Sequence, residues 1–466
     1  MTDPTSAFEL MKSTHAAAPI ADAQSRMAQL DALEAALLEY EDALVTAMSA
    51  DFSHRSPHEC RILDITTSLS DIRTNRKHLK RWMRVQRVKT PLQFKPAKSE
   101  IHPQPLGVVG VISPWNFPVY LALAPMAAAL AAGNRVMIKP SELSPRTSDV
   151  LAEMISATFP ADVATVITGG ADVAAAFSAL PFDHLLFTGS TAVGRKVAQA
   201  AARNLTPVTL ELGGKSPVIL MPSADLDRAA RRIAWGKTTN AGQVCVGPDY
   251  VLVPRKKMEM TADAILGAMM RLYPKGTASD DYSAIISERH LARLHAMRDE
   301  AKDRGAQILS NEPTAPVAGS RKFAPIVVLD PPPDTAMMRE EIFGPILPLI
   351  PYDTPEQALA FVAARDHPLA LYVFAEDKDE QDLWLDRSIS GGVTVNDTVI
   401  HVSVDTLPFG GVGASGMGAY HGQAGFETFS HMKPVLRQAR WNGMFVTEPP
   451  FKGWKARALN ALRKVL

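Results

Sequence analysis

Apolar positions change period along this chain. Ala and Leu recur at helical spacing over residues 22–48, and a second helical pattern covers 60–83, so the first 90 residues read as helices without a fold of their own. After residue 106 the rhythm becomes strand, loop, helix. Apolar runs at 108–112, 135–138, 163–167 and 184–187 alternate with helical stretches at 120–132, 148–159 and 191–202. Strands spaced by helices of about ten residues predict a parallel, doubly wound sheet. A second αβ series runs from a strand at 218–220 through a helix at 225–240 and a strand at 250–253 to Val395. In that helix Leu226, Ala229, Ala230, Ile233 and Lys237 share a stripe, Ser223 is placed to cap the start, and Gly242 suits the C-terminal turn. Two α/β domains are therefore expected, joined near 212–214, where Gly213 and Gly214 let the chain turn.

Charge refines this picture in three places. Residues 101–134 contain no Asp, Glu, Lys or Arg, a length that would cross a bilayer, but Pro103, Pro105, Gly107, Gly110, Pro114, Pro118 and Pro125 divide it into strand, loop and helix. Between Asp71 and Glu100 stand ten Lys or Arg residues and no acid. With only Trp82 and Phe94 interleaved, this run reads as a solvated helix face or subunit contact and not a nucleic-acid site. The tail 451–466 sets Phe451, Leu459, Leu462 and Leu466 near one side among Lys452, Lys455, Arg457, Arg463 and Lys464. It is a basic amphipathic helix whose docking on its own protein is preferred to a peripheral membrane contact.

Across all 466 residues Lys plus Arg equals Asp plus Glu at 49 each, so net charge points to no nucleic acid, membrane or acidic partner. Two cysteines cannot build a disulfide framework and suit a reducing compartment. Met1-Thr2-Asp3-Pro4 lacks the basic-then-apolar start of a signal peptide, and the chain reads as cytoplasmic.

Candidate chemistry centres on Cys245, in Asn240-Ala241-Gly242-Gln243-Val244-Cys245-Val246, at a predicted helix-to-strand corner where a thiol can act as a nucleophile. Glu211, before Gly213-Gly214, is a candidate base for a second stage. Asn116, held between Pro114 and Pro118, can donate to an oxyanion or serve plain turn chemistry. Gly189 and Ser190 end a strand and open the helix bearing Gly194, a corner that suits pyrophosphate although it departs from Gly-x-Gly-x-x-Gly. Lys139 and Glu142 follow another strand, where they can share ribose hydroxyls or form an ordinary exposed loop. The glycine cluster 410–422 lacks the Lys-Ser/Thr of a nucleotide loop and reads as a turn-rich wall near the active site. Cys60 lies on a predicted helix outside any motif and reads as structural. No metal-ligand spacing accompanies the histidines, so no catalytic metal is expected.

Taken in order, Pro114-Trp115-Asn116-Phe117-Pro118, Lys139-Pro140-Ser141-Glu142, Phe187-Thr188-Gly189-Ser190, Glu211-Leu212-Gly213-Gly214-Lys215, Gly242-Gln243-Val244-Cys245, Glu340-Glu341-Ile342-Phe343-Gly344-Pro345 and Leu407-Pro408-Phe409-Gly410-Gly411-Val412-Gly413 resemble the NAD(P)-dependent aldehyde dehydrogenase superfamily. The resemblance covers roughly residues 100 to 435. Cys245-Val246-Gly247-Pro248-Asp249-Tyr250 and Thr428-Phe429-Ser430-His431 are similar to its class 3 branch. Leu79-Lys80-Arg81-Trp82 and Gln104-Pro105-Leu106-Gly107 most resemble coniferyl aldehyde dehydrogenases.

The resemblance implies a Rossmann-like, doubly wound cofactor domain, a second α/β catalytic domain and a small β oligomerisation projection. It divides the chain into a helical part of the cofactor domain (1–90), oligomerisation strands (91–105), an NAD(P)-binding domain (106–212), a catalytic domain (213–405), a return to the cofactor domain (406–430), and a further oligomerisation strand with the tail (431–466). It implies that Cys245 attacks an aldehyde, that Asn116 and the Cys245 N–H hold the oxyanion, and that Glu211 activates water against the thioester. Glu341 would bind the nicotinamide ribose beside Phe343, Lys139 and Glu142 the adenosine ribose, and Gly189 and Ser190 the pyrophosphate. NAD and NADP both remain open, with Glu142 favouring NAD by repelling a 2′-phosphate and Lys139 beside it able to compensate. A homodimer is implied, its contacts formed by 94–102 and 434–440.

Phe117, Tyr120, Thr238, Thr239 and Val244 are the expected substrate pocket. Val244 stands where this branch often has threonine, and Thr238 and Thr239 where bulkier residues are common, so the aldehyde is open between hydroxycinnamaldehydes and medium or long aliphatic chains. Two readings of other classes compete. A cysteine hydrolase would need a histidine base, absent near Cys245 in sequence, and a non-catalytic protein of the same fold would not need Cys245, Glu211 and Asn116 together.

Overall fold

In a computed structural model that describes residues 3–312, 319–451 and 453–463, the predicted alternation becomes two large sheets and one small one. The first has six strands in the order Gly416–Met417, Val208–Leu212, His184–Gly189, Val108–Ile112, Arg135–Lys139, Ala164–Val166. Its inner pairings are parallel, and only Gly416–Met417 runs antiparallel, against Val208–Leu212. The C-terminal ends of the parallel strands therefore deliver Ser113, Lys139, Gly189 and Leu212 to one edge, where open α/β sheets bind ligands. The second sheet has seven strands, parallel from Ile326–Leu329 through Ile346–Tyr352, Tyr250–Pro254, Pro217–Leu220 and Ala370–Phe374 to Gly392–Val395, with Gln307–Leu309 antiparallel at its edge. The chain passes from one sheet to the other at Gly213 and Gly214, and it returns to the first at Gly416.

The uncharged stretch resolves as expected into strand, loop and the helix Tyr120–Ala132, every residue of which is buried. No helix among the described residues is long and apolar enough to cross a membrane. A helix with no polar side chain besides Tyr120 cannot satisfy its own end groups, and N-terminal residues do so instead. Asp64 accepts the Val119 and Tyr120 N–H groups, both at 3.1 Å, while Arg26 donates to the Ala131 and Ala132 carbonyls at 3.1 and 2.8 Å. Asp64 is itself paired with fully buried Arg55 at 2.9 Å.

Several local boundaries differ from the sequence pattern. The stretch 22–48 is two helices, Ala23–Glu39 and Glu41–Asp51, divided at Tyr40, and Pro4–Ala17 adds another before them. The stretch 60–83 comprises Pro57–Cys60, a π-helical turn Arg61–Thr66 and the helix Thr67–Trp82. Asp225, not Ser223, caps Leu226–Thr238 by accepting the Arg228 N–H at 3.0 Å. The Ser223 hydroxyl is taken by Glu380 and by the N–H groups of Glu376 and Asp377.

The small sheet pairs Gln86–Val88, Lys98–Pro105 and Ser430–Arg437, all antiparallel. Its strands are displaced from the expected 94–102 and 434–440, because Leu92–Phe94 is a 3-10 turn, and Gln86–Val88 had no alternating signal to reveal it. The tail is helical over Trp454–Leu462. Met1, Thr2, Lys452, Lys464 and Leu466 and the side chains of Leu459 and Leu462 lie outside the described residues, and with them most of the tail's expected apolar side.

Candidate active site

Helix Leu226–Thr238 runs into a 3-10 turn, Thr239–Gly242, whose last three residues all have positive φ: Asn240 at 48°, Ala241 at 51° and Gly242 at 74°. Asparagine tolerates this region, glycine is free there, and alanine is strained in it by roughly 1 kcal/mol. Side-chain bonds hold the bend in place. Gln243 donates to the Asn240 and Ala284 carbonyls at 2.9 and 3.0 Å and accepts the Ile286 N–H at 2.9 Å. A Cβ on Gly242 would lie 2.4 Å from the Gly344 carbonyl, so the turn admits only glycine there. This bend aims Cys245, partly exposed, into a cavity of about 530 Å³ between the sheets.

Asn116, Glu211, Gly189, Ser190, Glu341 and Phe343 line the same cavity. Asn116 spends one amide N–H on the Gln243 carbonyl at 3.2 Å, and the other has no protein acceptor among the described residues. Glu211, next to last in the strand Val208–Leu212, is buried with neither carboxyl oxygen hydrogen-bonded. Burial holds its pKa well above the ordinary carboxylate range. Burial, reinforced by the Glu341 and Glu211 charges, pushes the Cys245 thiol up to about 12. Burial thus opposes the charged form of both the nucleophile and the base in the unaided site.

The loop carrying Glu341 and Phe343 is fastened to both strands near it. Lys215 donates to Asp249 and to the Met337 and Glu340 carbonyls, the latter two at 2.6 and 2.8 Å, while Asp249 accepts the Ile342 N–H at 2.9 Å. Arg293 donates to the carbonyls of Glu341 and Ile342. Glu341 lies so close to Gly213 that a Cβ there would sit 2.0 Å from its Oε2. Burial first, and Asp249 second, raise Glu341 to about 8. Phe343 meets Trp115 edge to face at 5.4 Å, and Trp115 meets His290 at 5.2 Å. His290, bonded to the Ser287 hydroxyl at 2.7 Å, is lowered to about 4 by burial and is neutral at ordinary pH.

The opposite wall contains Leu121, Leu369, Phe409 and Tyr420. His421 stacks on Phe409 at 5.3 Å and shares a hydrogen bond with the Tyr120 hydroxyl at 3.0 Å. Tyr120 thus stands behind the wall rather than in it. Phe117, Thr238, Thr239 and Val244 are likewise absent from the lining: Phe117 packs under Arg55, and the two threonine hydroxyls donate back to the Ala234 and Trp235 carbonyls, both at 2.7 Å. Sequence reasoning missed Trp115, His290, Arg293, Phe409 and Tyr420 as lining residues. Trp115 lay inside a quoted motif, Phe409 immediately precedes the glycine cluster and Tyr420 lies within it, and only the helical i, i+3 spacing linked His290 to Arg293.

Lys139 and Glu142 do not line the cavity. Lys139 is buried and donates to the Pro140 carbonyl at 2.6 Å, and Glu142 is half-exposed 3.9 Å from it. The edge nevertheless fits a dinucleotide. Helix Thr191–Ala202 begins at the cavity with no side-chain cap from Ser190, leaving its first N–H groups and dipole for an anion. Thr188 Oγ is buried without a partner beside it, and glycine at 213 leaves room where a side chain would displace Glu341.

Comparisons with known proteins follow the same lines. The profile of the aldehyde dehydrogenase family matches residues 2–435. The chain is 47% identical over 444 residues to the probable coniferyl aldehyde dehydrogenase of Pseudomonas aeruginosa, covering 95% of this chain and 93% of that one. It is 46% identical over 437 residues to the coniferyl aldehyde dehydrogenase of Pseudomonas sp. strain HR199, covering 93% and 90%. Among solved structures, the substrate-bound AldH of Staphylococcus aureus superimposes with a TM-score of 0.94 at 38% identity, over 99% of this chain and 100% of that one. The aldehyde dehydrogenase of Mycobacterium tuberculosis complexed with NAD+ gives 0.81 at 29% identity, over 91% and 87%.

Proposed function

The chain belongs to the aldehyde dehydrogenase family, and on that premise we propose that it oxidises an aromatic aldehyde of the hydroxycinnamaldehyde class, such as coniferyl aldehyde, to the carboxylic acid. The observation that carries the reaction is the meeting of Cys245, Asn116 and Glu211 in one cavity. The aromatic class is supported by the Phe409 and Tyr420 wall, stiffened behind by His421 and Tyr120, and by the two coniferyl relatives.

The Cys245 thiolate attacks the carbonyl carbon, and the carbonyl electrons move onto oxygen, where the free Asn116 N–H and the Cys245 backbone N–H receive the charge. When bound, NAD or NADP supplies the acceptor for the hydride leaving that carbon. Glu341 and Phe343 would hold its nicotinamide ribose, Gly189 and Ser190 its pyrophosphate, and Lys139 and Glu142 its adenosine ribose. Glu211 then takes a proton from water, whose oxygen attacks the thioester carbon and expels the Cys245 thiolate. Thiolate leaves readily, which is why sulfur suits both stages. NAD is preferred, because the buried Lys139 ammonium is turned onto the Pro140 carbonyl while the half-exposed Glu142 carboxylate, 3.9 Å from it, would oppose a 2′-phosphate.

The same reading makes the chain a homodimer joined through its small sheet. Ser430–Arg437 is an edge strand, with one row of backbone groups open to another strand. A monomer in light scattering at micromolar concentration would remove this assignment.

Reduced nicotinamide followed across cinnamyl, benzyl and straight-chain aldehydes, with NAD and NADP in parallel, tests the substrate. Coniferyl aldehyde with NAD should give the highest kcat/KM. A large advantage for straight-chain aldehydes would replace the aromatic assignment with an aliphatic one.

A further inference from the structure

The segment between Arg55 and Asp64 reaches beneath the nucleophile loop from far away in sequence. Glu59, in the short helix Pro57–Cys60, accepts the Asn240 N–H at 3.0 Å with one oxygen and the Ser283 hydroxyl at 2.7 Å with the other. Asn240 opens the left-handed bend before Cys245. Its side-chain amide donates to the Asn116 carbonyl at 3.0 Å and the Gln243 carbonyl at 3.3 Å, and the same Gln243 carbonyl accepts the Asn116 amide. One carboxylate thus anchors the residue that ties the oxyanion donor to the loop presenting the thiol. The π-helical turn Arg61–Thr66 follows directly, and its Asp64 fixes the helix start just beyond Pro118. Both halves of the cysteine site rest on this one segment.

We propose that Glu59 is a positioning residue for the thiol chemistry, acting through Asn240 to set the Cys245 loop and Asn116 relative to each other, an assignment that rests on the roles proposed above for those two residues. A bend of three consecutive left-handed residues, one of them alanine, persists only where its surroundings determine it. Glu59 supplies the bond at its first residue. It touches no substrate, so losing it should misplace the reacting groups without weakening cofactor binding.

Three variants separate this role from a merely structural one, each measured for kcat, KM for aldehyde and NAD, iodoacetamide alkylation of Cys245 and melting temperature. Glu59→Ala should lower kcat by about 10- to 100-fold, the scale of a small misplacement of reacting groups, slow alkylation and leave KM for NAD unchanged. Glu59→Gln keeps an acceptor for Asn240 and should restore kcat to within about threefold of the parent. Ser283→Ala removes the other bond to the same carboxylate and should leave kcat unchanged. If Glu59→Ala does not fold, Glu59→Asp, one methylene too short to reach Asn240, takes its place with the same expectation. Wild-type kcat and alkylation in a folded Glu59→Ala or Glu59→Asp enzyme, or equal losses in Ser283→Ala, would overturn the proposal. Full aldehyde oxidation by Cys245→Ser would instead overturn the underlying reaction.

Discussion

The ionisation of Cys245 gives the sharpest test of the site's electrostatics. Its thiol is raised from an ordinary 9 to about 12, first by burial and then by the Glu341 and Glu211 carboxylates. Three units correspond to about 4 kcal/mol. At about pH 8 roughly one thiol in ten thousand would be ionised, against roughly one in ten for an unperturbed group of that ordinary value, an expected deficit of about a thousandfold in alkylation rate. Because the thiolate is the reactive form, the iodoacetamide rate of the cofactor-free enzyme should keep climbing between about pH 7 and pH 10 without levelling, by less than tenfold per pH unit where Glu341 also ionises. Glu341 adds a second feature, since it titrates at about 8. Below that pH it is protonated, and Glu341→Gln should barely change the rate. Above it, the substitution removes a negative charge that opposes the thiolate, and the variant should react faster than the parent. Saturating NAD should move the profile to lower pH, because the cationic nicotinamide ring favours a nearby anion. A plateau below pH 10, or a Glu341→Gln effect as large at about pH 7 as at about pH 9.5, would refute the reasoning.

Three further outcomes follow from the geometry. Glu211→Gln should release about one reduced nicotinamide per active site in a burst and then turn over at least 100-fold more slowly, because hydride departure does not need the base and thioester hydrolysis does; an unchanged steady state in stopped flow would contradict this. Gly242→Ala should yield little folded protein, since its Cβ would meet the Gly344 carbonyl at 2.4 Å in a left-handed residue, and a wild-type melting curve would remove that steric argument. Lys215→Ala leaves Asp249 without its cation and should cost about 3–5 kcal/mol in denaturant unfolding while raising KM for NAD through the loosened Glu341 loop; loss of neither would show that the clamp is not needed.

Much of this architecture was legible because apolar period reports burial. The strand Val108–Ile112 and the helices Tyr120–Ala132 and Thr191–Ala202 have the predicted limits. The corner holding Cys245 was legible for the same reason, as the gap between a helical stripe and an apolar strand. The exact shape of that corner was not, because the left-handed backbone of Ala241 has no local signal and is imposed by Gln243 and its neighbours. The partners of Glu59 and Lys215 have no signal in the sequence, because only the fold brings Asn240 and Asp249 to them. Thr238 and Thr239 stand close to Cys245 in sequence but are absent from the cavity lining, and their hydroxyls bond carbonyls of the preceding helical turn.

The return of the chain at Gly416 has a consequence for biosynthesis. Val208–Leu212 gains its outer neighbour only from Gly416–Met417, and Lys98–Pro105 gains one of its two partners only from Ser430–Arg437. While the ribosome makes the whole intervening seven-stranded sheet, the sheet made first keeps open edges. Such distant pairings form slowly, and unpaired edges are where nascent chains associate wrongly. A chain stalled before residue 416 should therefore hold its second sheet more readily than its first, and chaperone demand should end only as the last strand emerges.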